Sequence, residues 1–256
     1  MARKIVVTSG KGGVGKTTVA VYLAAQLAKK GERVLVCDAD FGLNNVDVVT
    51  GLEGAVIYDI IDVIEGRCRA KQALVRHPKY ANLYVLTSSR STPERYVSPQ
   101  AVKLVLDGLA PQFDFIFIDC PAGIDEGFHR AVASADEAIV VTTPSLTALR
   151  DADRVITLLK SYQLQSFSLV INRIHGELLA TGDCISPKEI TELLKLPLIG
   201  VIPEEYSIGE NDLTEIHIAF RMTAHALRTG KRKLYDATKK YGGVWGSLRR
   251  ALKRSL

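Results

Sequence analysis

The chain has 256 residues, 47% hydrophobic and 24% charged, enough for one large α/β domain with a sizeable core. Its amino terminus lacks the apolar stretch of a secretion signal, no run approaches the roughly 18 apolar residues of a spanning helix, and Cys37, Cys68, Cys120 and Cys184 form no C-x-x-C pair. A cytosolic protein with reduced thiols and no metal cluster is expected. The net charge of +5 hides an asymmetry. From Arg228 onward ten Lys/Arg accompany a single acid, Asp236, while the first 227 residues carry 23 basic and 27 acidic side chains. A mildly acidic body with a basic tail is expected to meet a polyanion at its C-terminal end, either nucleic acid or an acidic membrane.

In chain order, "KIVVTS" (4–9) and "RVLVCD" (33–38) read as strands separated by the helical "TTVAVYLAAQLAKK". "LYVLT" (83–87) reads as a further strand at a sheet edge, and "SPQAVKLVLDGLA" as a helix opened by Ser98-Pro99. "FDFIFID" (113–119), "EAIVVT" (137–142), "FSLVIN" (167–172) and "PLIGVI" (197–202) complete the strands, with "ALRDADRVITLLKSY" as a helix among them. The strands are apolar on both faces, as in a parallel sheet covered by helices on each side. The fold class is therefore α/β, doubly wound, with ligands expected beyond the carboxyl ends of the strands. The division expected is an ATPase domain over 1–227, a basic linker over 228–242, and a terminal amphipathic helix over 243–256.

Gly10-Lys11-Gly12-Gly13-Val14-Gly15-Lys16-Thr17 fits G-x-x-x-x-G-K-[ST] and lies between a predicted strand and a predicted helix. Glycines let backbone N–H groups turn inward around phosphate oxygens, and the helix N-terminus adds a favourable dipole. Lys16 would reach the terminal phosphates of ATP and the Thr17 hydroxyl would hold Mg²⁺, with Thr18 opening the helix beside them. A carboxylate at the end of an apolar strand should serve the same ion. Asp119 ends "FDFIFID", and Gly123 gives the following segment the freedom a γ-phosphate switch needs. Asp38 and Asp40, after the second strand, face the same way if that strand continues. Asp40 is assigned the attacking water and Asp38 the metal's surroundings, against the alternative that both serve only turn chemistry.

"KGGVGKTT" (11–18) resembles the deviant Walker A motif of the ParA/MinD ATPase family, whose extra signature lysine matches Lys11. "DADFGLNNVDVVTG", "DCPAGIDEGF", "RDADRVITLL" and "GVIPE" extend the resemblance over most of residues 2–205, towards the family's division-site branch. The resemblance implies an ATP hydrolase in which Lys11 crosses a homodimer interface to the partner's ATP, so that Lys11, Lys16 and Asp40 form the catalytic set. It also implies that Asn172 reads the adenine edge with Pro203 and Glu204 lining the base. Two partners are implied: an inhibitor of the MinC kind and an activator of the MinE kind. Two segments depart from the family pattern. Asn44-Asn45 replaces an Arg-Asn pair, and 210–220 lacks a glycine and a proline.

Plotted at about 100° per residue, 242–256 places Val244, Trp245, Leu248, Leu252 and Leu256 on one arc. Arg249, Arg250, Lys253 and Arg254 take the other, which is the pattern of a helix lying in an anionic membrane interface. The expectation is an ATPase that dimerises on ATP, binds the inner face of the cell membrane through this helix, helps place the division septum, and is released on hydrolysis. A flagellar-number regulator of the FlhG kind and a ParA-like ATPase using its tail on DNA are alternatives; an iron–sulfur reductase component is a third, for which Cys120 and Cys184 offer no convincing cluster set.

Overall fold

The computed structural model describes residues 2–41, 45–88, 97–205 and 214–241. Among the described residues eight strands form one sheet: β1 (Arg3–Thr8), β2 (Val34–Asp38), β3 (Val75–Arg76), β4 (Leu83–Leu86), β5 (Phe115–Asp119), β6 (Glu137–Thr142), β7 (Ser166–Ile174) and β8 (Leu198–Pro203). Their spatial order is β3-β4-β2-β5-β1-β6-β7-β8, parallel throughout except for the β3–β4 pair. Residues of β2 and β5 have both faces covered and are buried along their whole length. That is why these strands read as unbroken apolar runs rather than as alternating ones.

The helices divide between the two faces. Helix α1 (Lys16–Ala28) and helix α9 (Glu215–Thr229) pack on one, around Leu23, Leu27 and Phe220. On the other lie α3 (Ile60–Ile64), α4 (Pro99–Leu109), α5 (Glu126–Ala133), α6 (Leu146–Leu159) and α8 (Pro187–Leu194), around Ile116, Leu106, Phe128 and Val155. Two short helices, α2 (Val46–Thr50) and α7 (Gly176–Thr181), follow β2 and β7. The expected Ser98 cap is present: its hydroxyl accepts from Ala101 N at 3.1 Å ahead of Pro99.

The edge position expected for "LYVLT" is corrected. This strand, β4, sits between β2 and the two-residue β3, which is the true edge. Beyond α9 the chain returns past α7, burying Ala237. An ideal Cβ on Gly176 would stand 2.1 Å from the Ala237 carbonyl oxygen, so only glycine admits this return. Asn44 and all nine side chains assigned to the membrane, Val244 to Leu256, lie outside the described residues. Among the described residues no helix is long and apolar enough to cross a membrane.

Candidate nucleotide site

The loop from Ser9 to Gly15 leaves the carboxyl end of β1 and enters α1 at Lys16. Gly15 holds φ at +94°, in the left-handed region where a side chain is strained, and an ideal Cβ there would meet Asn172 Nδ2 at 2.4 Å. Gly10 is fixed by close approach instead: its Cβ would stand 2.1 Å from the Asp151 carbonyl oxygen on α6. The loop is thus clamped between α6 and the end of β7, and Lys16 is buried at its inner end.

Beneath the loop, the strand register sets Asp38 beside Asp119 on neighbouring β2 and β5. The Thr17 hydroxyl donates to Asp119 Oδ2 at 2.5 Å, while Asp119 Oδ1 is buried without a hydrogen-bond partner. Burial, followed by the charge of Asp38, pushes the Asp119 carboxyl up to about 8. Burial likewise raises Asp38 to about 6, against the pull of three backbone N–H groups. Those groups are Asp40 N at 2.9 Å on Oδ1, with Asn45 N at 3.1 Å and Val46 N at 3.2 Å on Oδ2. The backbone N–H groups of residues 40, 45 and 46 thus converge on the Asp38 carboxylate, and Asp40 stands at the same end of the sheet. The Asp40 carbonyl in turn accepts from Ser88 Oγ at 2.8 Å.

The structure brings Gly10 to Thr18, Asp38, Asp40, Asp119 and Gly123 together at one end of the sheet. Gly12 and the segment after Asp119 are adjacent, an ideal Gly12 Cβ lying 3.6 Å from the Ala122 methyl. Lys11 is exposed where Lys16 is buried, its Nζ 3.3 Å from Thr147 Oγ1.

Asn172, Pro203 and Glu204 meet on the other flank, around a pocket of about 310 Å³ that Gly15 and Thr18 also line. The β7–β8 register breaks between Ile171 and Ile174, with Arg173 in the left-handed region at φ +57°. Asn172 Nδ2 donates to the Val14 carbonyl at 2.8 Å, a contact that motif matching misses. The buried Cys120 thiol, pushed up to about 12 by desolvation, is inert beside the site. Among the described residues no group of three or more His, Cys, Asp or Glu could hold a metal ion.

A glycine-rich loop with a hydroxyl–carboxylate pair beside it thus stands at the carboxyl end of β1, and the chain as a whole is similar to known proteins. Residues 2–171 match the AAA-domain family AAA_31. The septum site-determining protein MinD of Bacillus subtilis is 45% identical over 207 residues, 80% of this chain and 77% of that one. The chain belongs to the MinD family of septum site-determining ATPases. In a MinC:MinD cell division complex of Aquifex aeolicus, the matching chain is 36% identical with a TM-score of 0.83, over 91% of this chain and 97% of that one. MinD of Pyrococcus horikoshii, solved with Mg-ADP, is 30% identical with a TM-score of 0.80, over 90% and 97%. The expected doubly wound P-loop fold is thereby established, as is membership in the division-site branch.

Proposed function

We propose that this MinD-family chain hydrolyses ATP with Mg²⁺, pairs with a second copy in the ATP state, and in that state holds an anionic membrane through residues 243–256. The observation that carries the reading is the Thr17–Asp119 pair beneath the phosphate loop, with the Asp119 oxygen left over. Magnesium requires oxygen ligands, commonly few from protein and the rest from water and phosphates. The donor set fits: the Thr17 hydroxyl would hold the ion directly, and Asp119 would orient that hydroxyl and the ion's waters. The ion would neutralise charge on the phosphates. The absence of any three-residue metal cluster among the described residues fits a cation that comes with its nucleotide.

Lys16, buried at the start of α1, would hold the β- and γ-phosphates, and the amides from Gly10 to Thr18 would cradle them. Asp40 would orient the attacking water, its backbone fixed by Asp38 and Ser88. Phosphoryl transfer depends on positioning and charge neutralisation, so a single carboxylate aimed at the water suffices. Lys11 lies on the open rim rather than in the loop's floor, which favours service to the ATP of a facing copy. On the other flank, the Asn172 amide spends one donor on Val14, leaving the rest of its polar edge for adenine between Pro203 and Glu204.

A short amphipathic helix binds membranes weakly alone; two on one dimer gain by effective concentration, so hydrolysis would release both. A MinC-like inhibitor and a MinE-like activator are the protein partners proposed; the Aquifex MinD was solved with MinC. The test is sedimentation with anionic vesicles in ATP and in ADP, for the full chain and for a chain ending at Tyr241. Binding in ATP alone, lost on truncation, supports the switch. Equal binding in both nucleotides rejects it, and DNA binding in place of vesicle binding hands the tail to a ParA-like function.

A further inference from the structure

Arg130 on α5 is 2% exposed, which is rare for a guanidinium unless acceptors surround it. Nothing in the nucleotide chemistry assigned above uses it. Its Nε donates to the Val97 carbonyl at 2.8 Å, and its guanidinium carbon lies 5.1 Å from the centre of the Phe41 ring. These contacts reach two different loops. Val97 immediately precedes the capped start of α4, and Phe41 immediately follows Asp40. Phe41 and Val97 are themselves 7% and 5% exposed, so both contacts are dry, where hydrogen bonds and cation–π attraction are least screened.

Helix α5 is the element that the Asp119–Gly123 segment leads into. Arg130 therefore joins the helix behind one nucleotide-facing segment to the residue beside Asp40 in another. Without it, the Asp40 backbone keeps its N–H bond to Asp38 and its carbonyl bond to Ser88, both on the β2–β4 side. The grip on Phe41 adds a restraint from the β5 side.

We infer that Arg130 is a positioning residue for Asp40. Through the Phe41 ring it holds the Asp40 carboxylate in register with the segment after Asp119, so that the two arrive together at the reacting phosphate. This inference rests on the assignment of Asp40 to the attacking water. A displacement of the carboxylate by a fraction of an ångström is enough to slow hydrolysis while leaving the phosphate loop, and hence nucleotide binding, untouched.

The experiment measures phosphate release by the full chain with Mg-ATP, and nucleotide affinity by fluorescence, for Arg130→Met, Arg130→Lys, Phe41→Leu, Arg130→Met/Phe41→Leu and Asp40→Asn. Arg130→Met is expected to lower kcat on the order of tenfold with KM and ATP affinity within about twofold of the parent. Arg130→Lys, which keeps a cation over the ring, recovers part of that loss. The double variant is no slower than the slower single one, because both remove one link. If Arg130→Met does not fold, Phe41→Leu and Arg130→Lys carry the same kcat-against-KM test. Parental kcat in Arg130→Met or Phe41→Leu, beside a slow Asp40→Asn, overturns the positioning role alone. Multiplying effects in the double variant, or KM rising in step with the fall in kcat, also overturn it. Parental turnover in Asp40→Asn overturns the assignment of Asp40 and this inference with it.

Discussion

The two flanks of the phosphate loop are built on opposite principles. On the β2–β5 flank, carboxylates are buried against each other, and the carboxylate oxygens of Asp38 are engaged by backbone amides. On the β7–β8 flank lies a pocket of about 310 Å³, a register break interrupts the sheet, and among the described residues one side-chain hydrogen bond, Asn172 to Val14, reaches the loop. One side is crowded with buried carboxylates; the other is a pocket wall tied to the loop through Asn172. The difference teaches where tolerance lies. The loaded side should govern chemistry and the open side affinity.

The sharpest way to break this comparison is Asp119→Asn, which keeps the size of the side chain but removes its charge. Hydrolysis should fall by roughly 100-fold or more, because the ion and its hydroxyl ligand lose their orienting anion. Phosphate release checks this, and a loss under threefold would place the ion's partner elsewhere.

Next in size is Gly15→Ala, which attacks the seam between the flanks. A methyl at φ +94° and 2.4 Å from Asn172 must displace either the loop or the amide. A cost of about 2 kcal/mol, seen as a melting temperature lower by roughly 4–8 °C, is expected together with weaker nucleotide binding.

Asn172→Ala should sharpen the contrast. Losing one neutral hydrogen bond of about 1 kcal/mol predicts roughly fivefold weaker ATP binding by titration calorimetry, with kcat held within about twofold. A kcat loss larger than the affinity loss would erase the proposed division of labour.

A separate effect concerns acid. Asp119 and Asp38 take up protons more readily folded than unfolded, since their carboxyls rise to about 8 and about 6 from an ordinary 3.8. The folded state then binds more protons between about pH 4 and pH 8, so stability falls as pH rises through that window. Thermal melts of the nucleotide-free protein should rise from pH 8 to pH 6, and Asp119→Asn should flatten the slope. An opposite slope would mean that the pair is solvated.

Much of the loaded flank was legible in the sequence, because its parts are local. A glycine-rich run between a strand and a helix, and an aspartate closing an apolar strand, announce themselves by spacing. Strand β3 did not: two residues, Val75 and Arg76, carry no periodicity. Helix α9 did not either: its apolar spacing begins inside 210–220, the segment that departs from the family pattern. Arg130 resembles an ordinary surface charge on an amphipathic helix; its burial depends on Phe41 and Val97, distant in sequence. The same holds for Asn172, whose bond to Val14 spans 158 positions. Contacts that long leave no trace in a short window.

The two ends of the sheet have a consequence for assembly. A strand with free backbone groups invites another chain to extend it. Here one border is only two residues long, and the other, β8, is buried at all six positions. Among the described residues neither offers a length of open backbone, which disfavours lateral growth of the sheet. Two copies that meet must do so through side chains and loops rather than by sharing strands, and such a contact can be undone without unfolding either one.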